Sequence, residues 1–217
     1  MIRAVVFDVG ETLVDETEVF GSWADWLGVP RHTFSAVFGA SLTREVDHFD
    51  VFRTFKPDFD IEVEARKRAV AGVAEGFGVA DLYPDVRPCV EALKAAGLWV
   101  GIAGNQPKRA RGNLESLRLP VDLIGVSAEW GVSKPDPAFF ERVLEEVPFP
   151  AGEILYVGDR MENDVVPAKA LGMRAAWLRR GPWGFLAREN GDHRLPDVRL
   201  GGLDELPEWV ARANGEG

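Results

Sequence analysis

The chain has 217 residues, 46% hydrophobic and 28% charged, the proportions of a folded globular protein rather than a disordered one. Its 25 Lys+Arg against 35 Asp+Glu leave a formal charge of −10, which excludes a global basic footprint for nucleic acid or an anionic membrane. A single cysteine, Cys89, excludes an intramolecular disulfide and any multi-cysteine metal site, and fits a reducing compartment.

In chain order, Ile2–Phe7 (IRAVVF) reads as a buried strand, since Val5, Val6 and Phe7 leave no polar face. From about Glu16 to Ala80 no strand-like run occurs. Trp23, Trp26, Phe34, Phe38, Phe49, Phe52, Phe55 and Phe59 crowd this stretch, and Val19, Phe20, Trp23, Trp26 and Leu27 keep helical spacing. This segment is expected to be an all-helical insertion whose aromatic residues are chiefly core. Val86–Ala96 reads as a helix closed by Gly97, and Leu98–Ala103 as the next buried strand. Leu123–Val126 is a third strand. Pro137–Val147 is a helix, capped by Asp136 with Pro137 at its first position. Ile154–Val157 is a fourth strand. A helix over Asn163–Leu171 stops before Gly172, with Pro167 expected to kink it. Ala175–Leu178 is a fifth strand, and a last helix with Trp209 and Val210 begins near an Asp204 cap. Strands alternating with helices, the strands apolar on both faces, predict an α/β fold: a doubly wound, mostly parallel, Rossmann-like sheet. The predicted division is a core of 1–14 and 82–217 and a helical cap of 15–81. No apolar run approaches the ~20 residues of a membrane helix. Met1 is followed at once by IRAVVFDVG, with no leader pattern, so a cytoplasmic protein with no membrane or nucleic-acid partner is expected.

In a parallel sheet, ligands collect at the carboxyl ends of the strands. There the sequence places Asp8 after the first strand, Gly104 and Asn105 after the second, and Gly158-Asp159-Arg160 after the fourth, with Asp164 five residues beyond Asp159. A loop supplies Lys134 in KPDP. Asp8, Asp159 and Asp164 converging would form an all-oxygen site suited to Mg²⁺ rather than zinc. Lys134 among three acids is what holding a metal and an anionic substrate together requires.

At these residues the chain resembles the haloacid dehalogenase superfamily of hydrolases. The resemblance rests on VVFDVGETL at 5–13, GIAGNQ at 101–106, GVSKPDPAFF at 131–140 and ILYVGDRMENDV at 154–165, and spans nearly the whole chain. It implies a Mg²⁺-dependent phosphomonoester phosphatase acting on a small phosphorylated molecule. Asp8 is then the nucleophile, forming an aspartyl-phosphate. Asp8, the Gly10 carbonyl and Asp159 hold the metal, with Asp164 holding the ion or its waters. Lys134 is then a catalytic and substrate-binding residue paired with Asp8, Gly104 and Asn105 contact the phosphate, and Thr12 supports the turn. Two positions depart from the family pattern. Gly10 stands where a second acid usually serves as general acid–base, and Gly104 where a serine or threonine usually meets the phosphate. These departures leave two other readings. One is a carbon–halogen hydrolase in which Asp8 attacks carbon without a metal, and the other a catalytically weakened binding or regulatory member. Glu11 and His48 are the candidate replacement acids. Gln106, Lys108 and Arg109 read as a helix start, and Arg160, Arg179 and Arg180 as solvated or ion-paired.

Overall fold

Short β-branched runs become strands here because each can be covered on both faces. The computed structural model describes residues 1–43, 50–73, 76–186 and 196–215. Its strands are β1 (Ala4–Phe7), β2 (Trp99–Gly104), β3 (Leu123–Val126), β4 (Ile154–Gly158), β5 (Arg174–Leu178) and β6 (Val198–Leu200). They form one all-parallel sheet in the order β3-β2-β1-β4-β5-β6. Every residue of β1 and β4 is buried, so the sheet is sandwiched between helices as the continuous apolar runs require. Phe7 lies level with Ile102 on one side and Val157 on the other, which brings the ends of β2, β1 and β4 to one rim. This is the predicted α/β, Rossmann-like architecture. The short β6 is not legible in the sequence, because its three residues carry too little apolar period to register.

The described residues divide into two compact units, Met1–Asp15 with Gly78–Gly217, and Glu16–Phe77. The second unit is helical: α1 (Thr17–Trp26), α2 (Arg31–Leu42), α3 (Asp50–Phe55) and α4 (Ile61–Val70). Its aromatic residues are its core. Trp23 meets Phe52 and Phe59 edge-on at 5.6 and 5.7 Å, and Phe52 stacks on Phe59 at 4.5 Å. Two buried charged groups, Arg68 and Glu64, are engaged inside this unit. The Arg68 guanidinium lies 3.9 Å over the Trp23 ring and donates to Ser22 Oγ at 2.8 Å. The Glu64 carboxylate accepts from Trp26 Nε1, Lys56 Nζ and Lys67 Nζ at 2.9, 2.8 and 2.7 Å.

The sheet unit carries α5 (Val86–Ala95), α6 (Ala110–Ser116), α7 (Ser127–Trp130), α8 (Pro137–Glu146), α9 (Val166–Ala170), α10 (Gly181–Leu186) and α11 (Leu206–Ala213). Helix α5 buries Val86, Cys89, Val90 and Leu93 and stops at Gly97, whose φ of +82° only glycine adopts freely. The Asp136 carboxylate caps α8 by accepting from the Ala138 N–H at 2.9 Å. Three expectations are corrected. The helix read as Asn163–Leu171 is a π-helical turn, Met161–Val165, running into α9, and Pro167 sits in the first turn of α9, where its missing N–H costs no bond. Asp204 lies inside a 3₁₀ turn, Leu203–Glu205, so Glu205 and not Asp204 occupies the N-cap position of α11. Helix α10 is a further element that the sequence pattern does not announce. No helix among the described residues is long and apolar enough to cross a membrane.

Candidate active site

The strand order places the site. From β1 the chain first builds outward through β2 and β3, then returns to build β4, β5 and β6 on the other side. The crevice at the carboxyl ends of β1 and β4 is therefore the topological switch point of the sheet. Asp8 follows β1 directly, its N–H bonded to the Val157 carbonyl at 2.9 Å, and Asp159 follows β4. Asp164 comes from the π-helical turn. One carboxylate oxygen from each of Asp8, Asp159 and Asp164 lies within 4.8 Å of the others. Lys134 enters between them from the loop before α8, with Nζ 2.6 Å from Asp8 Oδ1 and 2.6 Å from Asp164 Oδ1. The four side chains are buried, with Lys134 4% and Asp164 0% exposed.

Two glycines make room for this cluster. A Cβ on Gly158 would fall on the Asp164 carboxyl group, so Asp164 can fold back over the end of β4 only because that Cβ is missing. There its Oδ2 accepts the Arg160 N–H at 2.9 Å. A Cβ on Gly104 would lie 2.7 Å from Asp8 Oδ1, so the side chain missing from this strand end leaves space for the carboxylate in its Lys134-paired position.

Asn105 stands beside Gly104, but its side chain is turned to Lys134. Its Nδ2 donates to the Lys134 carbonyl and its Oδ1 accepts the Lys134 N–H, both at 2.8 Å. The amide thus grips the backbone of the residue carrying the buried ammonium. Two further residues fix the rim, and the sequence reading does not single them out. The Tyr156 hydroxyl, inside fully buried β4, donates to the Ala103 carbonyl at 2.7 Å. The Trp177 indole N–H donates to the Asp159 carbonyl at 2.8 Å. The available signal is a polar-tipped aromatic in a fully apolar strand, which must find a partner when buried.

Burial pushes the Asp8 carboxyl above its usual range, with the Lys134 charge acting against this and Asp164 adding to it. Asp159 is pushed well up by burial and then by the Asp164 and Asp8 charges. For Lys134 burial disfavours the charge, yet Asp164 and Asp8 more than offset it and hold the ammonium well above its ordinary value. One cation faces three acids, and the cluster is short of positive charge. Asp159 Oδ2 is buried with no hydrogen-bond partner among the described residues. An orphaned buried carboxylate oxygen amid an all-oxygen donor set fits a hard divalent cation.

The remaining candidates sort by location. Gly10 forms an isolated bridge with Val14, and the left-handed residue of this loop is Glu11, φ 53°. Glu11 Oε2 accepts from the Tyr83 hydroxyl at 2.6 Å. Burial, followed by this bond to Glu11, pushes the Tyr83 hydroxyl above its ordinary range. Thr12 N–H bonds the Val9 carbonyl at 3.3 Å within the turn. Arg180 is ion-paired with Asp85, donates to the Thr12 carbonyl at 3.1 Å and covers the Tyr83 ring at 4.1 Å. Gln106 exchanges backbone bonds with the Ser127 hydroxyl. Cys89 is buried, its thiol pushed up to about 12 by burial and then by Asp85. His48 lies outside the described residues.

Comparison with known proteins gives the family. The chain is 31% identical over 99% of its length to the glyceraldehyde 3-phosphate phosphatase of Pyrococcus furiosus, covering 95% of that protein. The 2-haloacid dehalogenase of Pseudomonas syringae is 26% identical, with a TM-score of 0.62 over 98% of this chain and all of that one. The hydrolase YfnB of Bacillus subtilis, solved bound to magnesium, shares the fold at 18% identity, with a TM-score of 0.73 over 96% of this chain and 98% of its own. The family model of haloacid dehalogenase-like hydrolases matches residues 2–172. The chain belongs to that family of hydrolases.

Proposed function

We propose that the protein is a Mg²⁺-dependent phosphomonoester phosphatase working through Asp8. The observation that carries this reading is the buried Lys134 shared between Asp8 and Asp164, beside an Asp159 oxygen with no partner among the described residues. Asp8, Asp159 and the Gly10 carbonyl would hold the ion, with Asp164 steadying it or its waters. Bound there, the dication would neutralise the carboxylates and the phosphoryl oxygens and so let one anion approach another. Lys134 holds Asp8 Oδ1 in place and offers its one remaining N–H donor to the phosphoryl oxygens. An Asp8 oxygen attacks phosphorus, the phosphorus–oxygen bond to the alcohol breaks, and water then cleaves the aspartyl-phosphate to regenerate the carboxylate. Gly10 can deliver no proton to the departing alkoxide. Asn105 acts by positioning Lys134, and the helical unit, residues 16–77, is the substrate-selecting cap. The sequence relationship to a glyceraldehyde 3-phosphate phosphatase over nearly the whole chain supports the phosphate-ester chemistry.

Carbon–halogen hydrolysis is the competing reading, and the dehalogenase relative makes it worth testing. That chemistry has no use for a metal and would leave Asp159 a buried acid with an unsatisfied oxygen. Purified protein assayed against phosphate esters and 2-haloacids, with Mg²⁺ and with chelator, separates the two. We expect chelator-sensitive phosphate release that disappears in Asp8→Asn. Chelator-resistant halide release would replace the phosphatase reading with the dehalogenase one.

A further inference from the structure

Beside the carboxylate cluster stands a guanidinium that the proposed chemistry does not use. Arg160 follows Asp159 directly, and its backbone N–H is bonded to Asp164 Oδ2, which fixes its Cα at the rim. Its side chain runs to α10, where the guanidinium carbon lies 4.8 Å from the centre of the Trp183 ring. Helix α10 is itself held against the site. A Cβ on Gly181, φ +62°, would run into Glu11 of the loop after Asp8, and one on Gly184 would lie 3.1 Å from the Leu178 carbonyl and Arg179 backbone. Trp183 therefore rides on an element packed between the end of β5 and the loop that follows Asp8.

A guanidinium held over an indole ring does not spend its N–H donors on a carboxylate or carbonyl there. Among the described residues no carboxylate or carbonyl takes those donors, and both Arg160 and Trp183 are partly exposed. Neighbouring Arg180 shows the contrast, since Asp85, the Thr12 carbonyl and the Tyr83 ring engage it. A planar, preorganised fork beside a phosphate site matches a second planar or tetrahedral anion.

We infer that Arg160, stacked on Trp183, is a second anion subsite that selects phosphate monoesters whose alcohol half carries a further anionic group. The inference rests on the phosphatase reading for its substrate, and binding tests it separately. The measurement is calorimetric titration, in Mg²⁺, of three non-hydrolysable ligands. Propylphosphonate has no second charge, 3-phosphonopropionate adds a carboxylate, and ethane-1,2-bisphosphonate adds a second phosphonate. The two charged ligands distinguish a carboxylate from a phosphate as the preferred group. Wild type should bind at least one charged ligand about tenfold or more tightly than propylphosphonate, the scale of one charge-assisted contact. In Arg160→Gln that ratio should collapse towards one. Arg160→Lys should keep part of it, and Trp183→Leu should reduce it by freeing the side chain. A wild-type ratio near one for both charged ligands, or a ratio that Arg160→Gln leaves unchanged, overturns the subsite. None of these ligands turns over. Arg160-dependent preference in a protein that hydrolyses no phosphate ester would overturn the phosphatase reading and leave the subsite standing.

Discussion

Replacing Lys134 by methionine tests the electrostatic account most directly. The methionine fills much of the same volume while removing the only cation in contact with Asp8 and Asp164 among the described residues. At an effective dielectric of about 20, each 2.6 Å contact represents about 6 kcal/mol of gross attraction. Most of that is offset by the cost of burying the charges. Removing one partner of a buried pair costs about 3–5 kcal/mol net, because the acids left behind are uncompensated. Two acids share this lysine, so the expected loss is at the upper end of that range. Urea unfolding of both proteins in chelator at pH 7 should show it. Added Mg²⁺ should narrow the gap, since a dication bound only by the folded state stabilises by mass action and takes over the missing positive charge. Lowering the pH to 5 should narrow it too, because Asp8 and Asp159 have carboxyls raised above their usual range and escape the penalty by protonating. A Lys134→Met protein within about 1 kcal/mol of wild type in chelator would refute the view that this lysine neutralises the site.

Asn105→Ala removes both amide bonds to the Lys134 backbone and should cost about 1–3 kcal/mol by urea unfolding. It should lower kcat more than it raises KM, because the misplaced group is the ammonium and not a substrate contact; an effect on KM alone would return Asn105 to substrate binding. Gly10→Asp should accelerate alkyl phosphates more than aryl phosphates, toward the ~10²–10⁴-fold typical of a general acid, and equal effects on both leaving groups would show that another residue already supplies the proton. In the helical unit, Lys56, Lys67 and Trp26 hold the Glu64 carboxyl at about 2 against an ordinary 4.5. The folded value lies below the unfolded one, so this stabilisation is complete above 4.5 and is lost as pH falls from 4.5 towards 2. Glu64→Gln should therefore melt lower than wild type at about pH 7 and converge with it near about pH 2.5; a constant difference would remove Glu64 from the acid response.

The sequence by itself determined the strands β1 to β5 and the residues at their ends. A buried parallel strand is an uninterrupted apolar run, and the first residue beyond the run sits at the rim, so Asp8, Gly104 and Asp159 could be placed without coordinates. The stop of α5 and the start of α8 were legible for the same local reason, since Gly97 adopts a positive φ and the Asp136 carboxylate accepts a free N–H of the first turn. Tertiary structure alone decided how those residues are used. Asn105 and Lys134 are 29 positions apart, and Lys134 and Asp164 are 30 apart. No periodicity reveals that an amide facing the substrate side of a strand end turns instead to grip a lysine backbone. Gly104 reads in the sequence as a lost hydroxyl and Gly158 as the residue that follows the fourth strand. In space they are the clearances that admit Asp8 and Asp164, because a missing Cβ acquires meaning only when another chain segment arrives to occupy its place. The same holds for Arg160, an ordinary charged residue in sequence, whose guanidinium gains an aromatic neighbour only when α10 brings Trp183 against it.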